Sequence, residues 1–207
     1  MVLANYLGRN RIRIHSKKMI LGAFLIVSVP VFLILKQPDL GTALTFFAVL
    51  FSMLFVSGIR IRHLAAIISG GLFLMPVLWH FLKPYQKSRL LVFLNPNLDP
   101  LGAGYTIRQS KIAIGSGMLL GKGWQSGTQN LLNFLPERHT DFIFSVVGEE
   151  VGFLGAMFVL FLYFIIIRQS IRIAYSTNDV YGRLLAVGLV TMIAFHVIVN
   201  IAMTIGL

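Results

Sequence analysis

Four side chains able to move protons or hold anions crowd into positions 137–141 of this 207-residue sequence: Glu137, Arg138, His139 and Asp141. An almost unbroken apolar run, residues 142–167, follows them. Only 12% of the chain is charged, so the cluster sits at the edge of something hydrophobic. A carboxylate at the mouth of a membrane helix is costly to keep unless it is used or paired. Asp141 is therefore the candidate for chemistry. A structural explanation competes with it. Pro136 and Glu137 fit a helix start, and the helix dipole favours a carboxylate in the first turns. His139 is read as a hydrogen-bond partner that orients the cluster. The other histidines (His15, His63, His80 and His196) are scattered and cysteine is absent, which argues against a protein-built metal site. No nucleophilic triad can be assembled from the spacing.

Cations in the preceding polar stretch supply a second kind of chemistry. Residues 105–119 read as a short helix with Arg108 and Lys111 on one face. Gly115-Ser-Gly-Met-Leu-Leu-Gly-Lys-Gly123 follows. It is not a phosphate loop, because the first glycine of G-x-x-x-x-G-K-[ST] would fall on Ser116 and Gly123 follows the lysine. Arg108, Lys111 and Lys122 together suit an anionic headgroup such as a diphosphate, against the plainer alternative of a solvated or lipid-facing surface. Earlier in the chain, Pro38 ends one helix and Asp39 can cap the next. Asp39 is also a candidate to border the same cavity as Asp141.

What positions these groups is a set of membrane helices. Apolar residues make up 57% of the chain, 17 are Phe, and the mean hydropathy is +0.81. That is more apolar surface than a water-soluble domain can cover. The pattern predicts an all-α polytopic membrane protein with helices at about 18–36, 41–57, 64–82, 142–167 and 184–207, each near the ~20 residues a bilayer requires. Residues 83–141 form a long polar loop with no run able to span. At 100° per residue, Ser145, Gly148, Gly152 and Gly155 fall within about 40° of Asp141 on a continuous helix, a small-residue stripe for close packing or a cleft. Glu149 and Glu150 point elsewhere, so at least one should find a partner inside the bundle.

The net charge of +11 lies in short bursts between apolar runs, which favours a membrane over nucleic acid. Arg9, Arg11, Arg13, Lys17, Lys18, Arg60, Arg62, Arg168, Arg172 and Arg183 share one side with Asp179 as its lone acid. That side is expected to be cytoplasmic, leaving Asp39, the long loop and Asp141 extracytoplasmic. The N-terminal run is too long, and lacks a cleavage site, to be a signal peptide. The chain reads as a fragment, a single incomplete membrane domain over residues 1–207.

Several motifs, in order, resemble the SEDS (shape, elongation, division, sporulation) family: Gln37-Pro-Asp-Leu-Gly-Thr-Ala43, Asp99-Pro-Leu-Gly-Ala-Gly-Tyr105, Gln109-Ser-Lys-Ile-Ala-Ile-Gly-Ser-Gly117, Gly121-Lys-Gly-Trp124, Gly127-Thr-Gln129 and Phe134-Leu-Pro-Glu-Arg-His-Thr-Asp-Phe-Ile-Phe144. They are most like its rod-shape branch. The resemblance implies a ten-helix peptidoglycan glycosyltransferase of the bacterial plasma membrane that polymerises lipid II during cell elongation. This chain would cover helices five to nine, and activity of the piece alone is not expected. The family's required aspartate maps onto Asp141. Arg108, Lys111, Lys122, Glu137, Arg138, His139, Thr140 and Asp39 become candidates for substrate contact. No cofactor is implied beyond a divalent cation travelling with the substrate diphosphate. A class B penicillin-binding protein and the elongation machinery are the implied partners. A lipid-precursor flippase and a non-catalytic scaffold for the transpeptidase are the alternatives.

Overall fold

The computed structural model describes residues 1–10, 16–37, 39–81, 84–94, 99, 102–131, 134 and 140–206. Among them the chain forms ten helices: α1 (Val2–Arg9), α2 (Lys17–Lys36), α3 (Leu40–Val56), α4 (Ile61–Phe81), α5 (Pro84–Leu94), α6 (Ala103–Ser116), α7 (Thr128–Leu131), α8 (Ile143–Glu150), α9 (Gly152–Ser176) and α10 (Val180–Ile205). The all-α expectation holds. Three of these helices, α2, α9 and α10, are long and apolar enough to cross a membrane, and α3 and the stretch Ile61–Val77 of α4 are shorter apolar helices. Their outward faces carry large apolar side chains, such as Phe73, Phe158, Phe161 and Phe164. That is the arrangement of a membrane protein, whose outer surface meets hydrocarbon.

The chain divides into two compact units. The first comprises Met1–Leu82 and Ile166–His196. Its core gathers Leu3, Ala4 and Leu7 of α1, Met19, Ala23, Val27 and Val31 of α2, Leu50, Met53 and Leu54 of α3, and Leu184 of α10. The residues of α2 recur at i, i+4, i+8 and i+12, one face of a helix. Helix α1, too short to span, is thus packed onto α2 by three buried side chains. Gly188 lets α10 approach Met53, whose sulfur lies 3.1 Å from where a β-carbon would stand. Asp39 caps α3 as its position implied: Oδ1 accepts from the Thr42 N–H at 3.0 Å and Oδ2 from the Thr42 hydroxyl at 2.5 Å.

The second unit comprises Lys83–Ile165 and Val197–Leu207. Here the predicted continuous helix over 142–167 is corrected. It is two helices, broken at Val151 between α8 and α9. Gly152 has φ of +72°, a left-handed conformation that non-glycine residues adopt only with strain. The segment after α6 occupies the break. Phe153 N–H donates to Met118 O at 2.9 Å and Leu154 N–H to Leu119 O at 3.2 Å. Lys122 and Gly123 N–H donate in return to Glu149 O and Glu150 O, each at 3.0 Å. Gly121, also left-handed at φ +79°, faces Gly152 so closely that a β-carbon on either would meet the other's backbone nitrogen. The interruption satisfies N–H groups that open the spanning helix α9.

Candidate functional site

Helix α6 is the spine of the second unit. Among the described residues it packs against α8 more extensively than any other two helices pack together. Ser110 is fully buried. Its hydroxyl lies 2.6 Å from that of Ser145 on α8 and donates to Thr204 O on α10 at 2.6 Å. Further along, Gly148 fits under Ile114 and Gly117 lies directly on the Gly148 carbonyl. Ser145 and Gly148, half of the predicted small-residue stripe, are therefore a packing seam. Small side chains bring two helices close, and polar ones bridge them.

Asp141 lies just before this seam. It is in the turn Thr140–Phe142 that precedes α8, so the projection of a continuous helix from Asp141 does not apply. Its side chain makes no cap bond to α8, whose first residue is Ile143. The carboxylate is exposed, with no hydrogen bond or ion pair to it among the described residues. Its neighbour Phe142 is buried against Ala113 of α6, with Met203 of α10 packed alongside. That anchor fixes Asp141 to the end of the unit where α6 and the C-terminal turn of α10 meet. Lys111, two residues before Ala113, is exposed there, its amine beside Gly206. Arg108 is exposed one turn earlier on α6. The carbonyl of Thr140, itself exposed, accepts from Asn200 Nδ2 at 3.3 Å. Asp141, Lys111, Arg108 and Thr140 all lie in the second unit. Asp39 belongs to the first unit, and Glu137, Arg138 and His139 lie outside the described residues.

Lys122 is placed differently. Its ammonium pairs with Glu149 at 2.8 Å and also donates to the Thr128 hydroxyl at 2.9 Å. Glu149 has no exposed surface, whereas the Lys122 side chain keeps 28% of its own. The Gln129 N–H and the Thr128 hydroxyl reach the same carboxylate oxygen at 3.1 and 3.3 Å. Glu149 stands on α8, before the spanning helix α9 begins. Burial pushes its carboxyl up, but the Lys122 ammonium, the Gln129 N–H and the Thr128 hydroxyl outweigh burial and hold it below the usual carboxylate range. The pair ties the segment after α6 to α8. Among the described residues no three His, Cys, Asp or Glu side chains converge to hold a metal ion.

These elements have known counterparts. All of residues 1–207 match the FtsW/RodA/SpoVE family of cell cycle proteins. The chain belongs to this family. Peptidoglycan glycosyltransferase MrdB of Escherichia coli K12 is 45% identical over 186 residues, covering 89% of this chain and 50% of MrdB. A probable peptidoglycan glycosyltransferase FtsW from Trichlorobacter lovleyi is 44% identical over 177 residues, 84% of this chain and 45% of that protein. A chain from a peptidoglycan synthase complex, solved in work on the coordination of polymerization and crosslinking, superposes with a TM-score of 0.70 at 34% identity. That match covers 88% of this chain and 50% of the other. This FtsW/RodA/SpoVE member spans about half the length of the curated relatives it matches.

Three contacts around these residues were not legible in the sequence: Glu149 as the partner of Lys122, the buried Ser110–Ser145–Thr204 link, and Asn200 on the Thr140 carbonyl. Only the first left a signal. An acid inside an apolar run demands a partner, yet nothing in the spacing pointed 27 residues back to Lys122.

Proposed function

We propose that this chain forms the part of a peptidoglycan glycosyltransferase that carries the acid–base carboxylate. The reaction is polymerisation of lipid II into glycan strands during cell elongation, in the manner of the rod-shape branch of the family. The observation that carries the reading is Asp141: an exposed carboxylate in the turn before α8, whose neighbour Phe142 packs on Ala113 of α6, the helix that also carries the exposed Lys111 and Arg108. Asp141 accepts the proton of an acceptor sugar hydroxyl as that oxygen attacks the donor's anomeric carbon. The departing lipid diphosphate is already a good leaving group, so the protein contributes mainly position and positive charge. Lys111 and Arg108, with Arg138, are assigned to that diphosphate. A divalent cation, if used, would be held largely by the substrate's own phosphates, since the described residues build no cage for one. Lys122 acts through its pair with Glu149, shaping the segment beside the site.

The same reading places the protein in the bacterial plasma membrane, with Asp141 and residues 83–141 outside and a class B penicillin-binding protein alongside as transpeptidase. The test is glycan assembly from purified lipid II by the complete protein. Asp141→Asn is expected to abolish polymer while insertion and thermal stability stay unchanged. Full polymerisation by that variant would return Asp141 to a structural role and leave a flippase or scaffold as the better description.

A further inference from the structure

Two cavities in the first unit share one side chain. The first, of about 590 Å³, is lined by Arg60, Ile61, Arg62 and His63 at the start of α4. The second, of about 370 Å³, is lined by Lys17, Ile20, Leu21 and Phe24 of α2 and by His63, Ala66 and Ile67 of α4. Positions 17, 20, 21 and 24, and positions 63, 66 and 67, each follow helical spacing, so each set is one face. The second cavity is therefore a groove with two apolar walls and Lys17 and His63 at its mouth. His63 links it to the arginine-lined pocket. Among the described residues no acid lines either cavity. Among the described residues, Lys17, Arg60 and Arg62 form no ion pair, and His63 Nδ1 is buried without a partner.

A cationic pocket that shares a wall residue with an apolar groove, itself edged by Lys17, matches one kind of occupant, a molecule with a charged head and a hydrocarbon tail. We propose that this is a binding site for an anionic glycerophospholipid of the surrounding bilayer. Its phosphate lies on Arg60, Arg62 and Lys17. One acyl chain lies between Ile20, Leu21 and Phe24 on one side and Ala66 and Ile67 on the other. An acidic peptide would answer the cations but leaves the groove beneath them unfilled. A zwitterionic lipid would fill the groove but brings no net charge to three cations. The site lies in the first unit, so the proposal is independent of the catalytic reading of Asp141.

The experiment is native mass spectrometry and thermal unfolding of the protein in detergent, titrated with phosphatidylglycerol, phosphatidylcholine, glycerol phosphate or a polyglutamate peptide. Retained adducts and a raised Tm are expected with phosphatidylglycerol and not with the other three. Arg60→Ala with Arg62→Ala should weaken phosphatidylglycerol retention by about tenfold or more. Ala66→Phe, which fills the groove and leaves every charge in place, should do the same. Arg168→Ala with Arg172→Ala, a basic pair away from both cavities, should leave retention unchanged. Equal retention of phosphatidylcholine, or an equal loss from the Arg168 and Arg172 control, would show only diffuse lipid attraction and overturn the site. A response to glycerol phosphate alone would remove the groove from it. A response to polyglutamate without one to phosphatidylglycerol would assign the pocket to an acidic protein instead.

Discussion

At the scale of single residues, exposure separates the two acids that matter. Asp141 is exposed and bears no partner among the described residues, which suits a group that must meet a hydroxyl. Glu149 is fully buried and its charge is answered by Lys122. Lys111 resembles Asp141 in this respect, being exposed beside the C-terminal turn of α10. Lys111→Glu is therefore expected to weaken lipid II binding by about tenfold or more, since reversing a charge beside a diphosphate replaces attraction with repulsion. The check is a binding titration with the complete protein; unchanged affinity would take Lys111 out of the site. Asp39 offers a contrast. Its two bonds to Thr42 make Asp39→Ala a loss of about 1 kcal/mol of helix stability, as for other N-caps. The capping role of Asp39 was legible from its sequence, because Pro-Asp followed by an apolar run is a local signal. The partner of Glu149 was not, because an ion pair across 27 positions depends on how α6 returns to α8.

At the scale of elements, the break between α8 and α9 is where sequence and structure part. Residues 142–167 are apolar almost throughout, and hydropathy cannot distinguish one long helix from two. What breaks it is a backbone exchange with residues 118–123, and backbone hydrogen bonds leave no trace in composition. The small-residue stripe of Ser145, Gly148, Gly152 and Gly155 hinted at a close approach, but not at residues 118–123 as its partner. Gly152→Ala should be among the most damaging small substitutions here, because it adds left-handed strain to a clash with the backbone of Gly121 and Leu119. The Lys122–Glu149 pair secures the same junction. Glu149→Gln leaves a partly buried ammonium without its counter-charge, a cost of roughly 3 kcal/mol, near the low end for breaking a buried pair because Lys122 retains some exposure. The pair also has a pH signature. The Glu149 carboxyl lies below its ordinary value in the folded chain, so its contribution is complete above the usual carboxylate range and is lost as pH falls through the lowered value. Thermal unfolding in detergent should show an acid-side loss of stability that Glu149→Gln reduces. An identical acid profile in the variant would deny the pair that role.

At the scale of the whole molecule, what positions Asp141 is the sidedness of the helices in the bilayer. The apolar runs were readable from hydropathy, although among the described residues only α2, α9 and α10 are long and apolar enough to cross a bilayer, with α3 and Ile61–Val77 of α4 shorter. Short basic segments carry the orientation we propose: Arg60 and Arg62 at the start of α4, and Arg168, Arg172 and Arg183 around the turn between α9 and α10. Helix α6 was readable as the short helix expected over 105–119, but the packing of α1 and the helices α5 and α7 were not, since these are too short or too weakly apolar to stand out. Sidedness can be measured directly, because the chain contains no cysteine and any introduced thiol reports alone. Trp124 is 79% exposed in the segment tied to α8, and Ser176 is exposed at the end of α9. With the basic segments inside, Trp124→Cys should react with a membrane-impermeant maleimide on intact cells. Ser176→Cys should react only after the membrane is opened. The reversed pattern would turn Asp141 toward the cytoplasm, where no glycan strand is extended, and polymerisation by this carboxylate would then have to be abandoned whatever its local geometry.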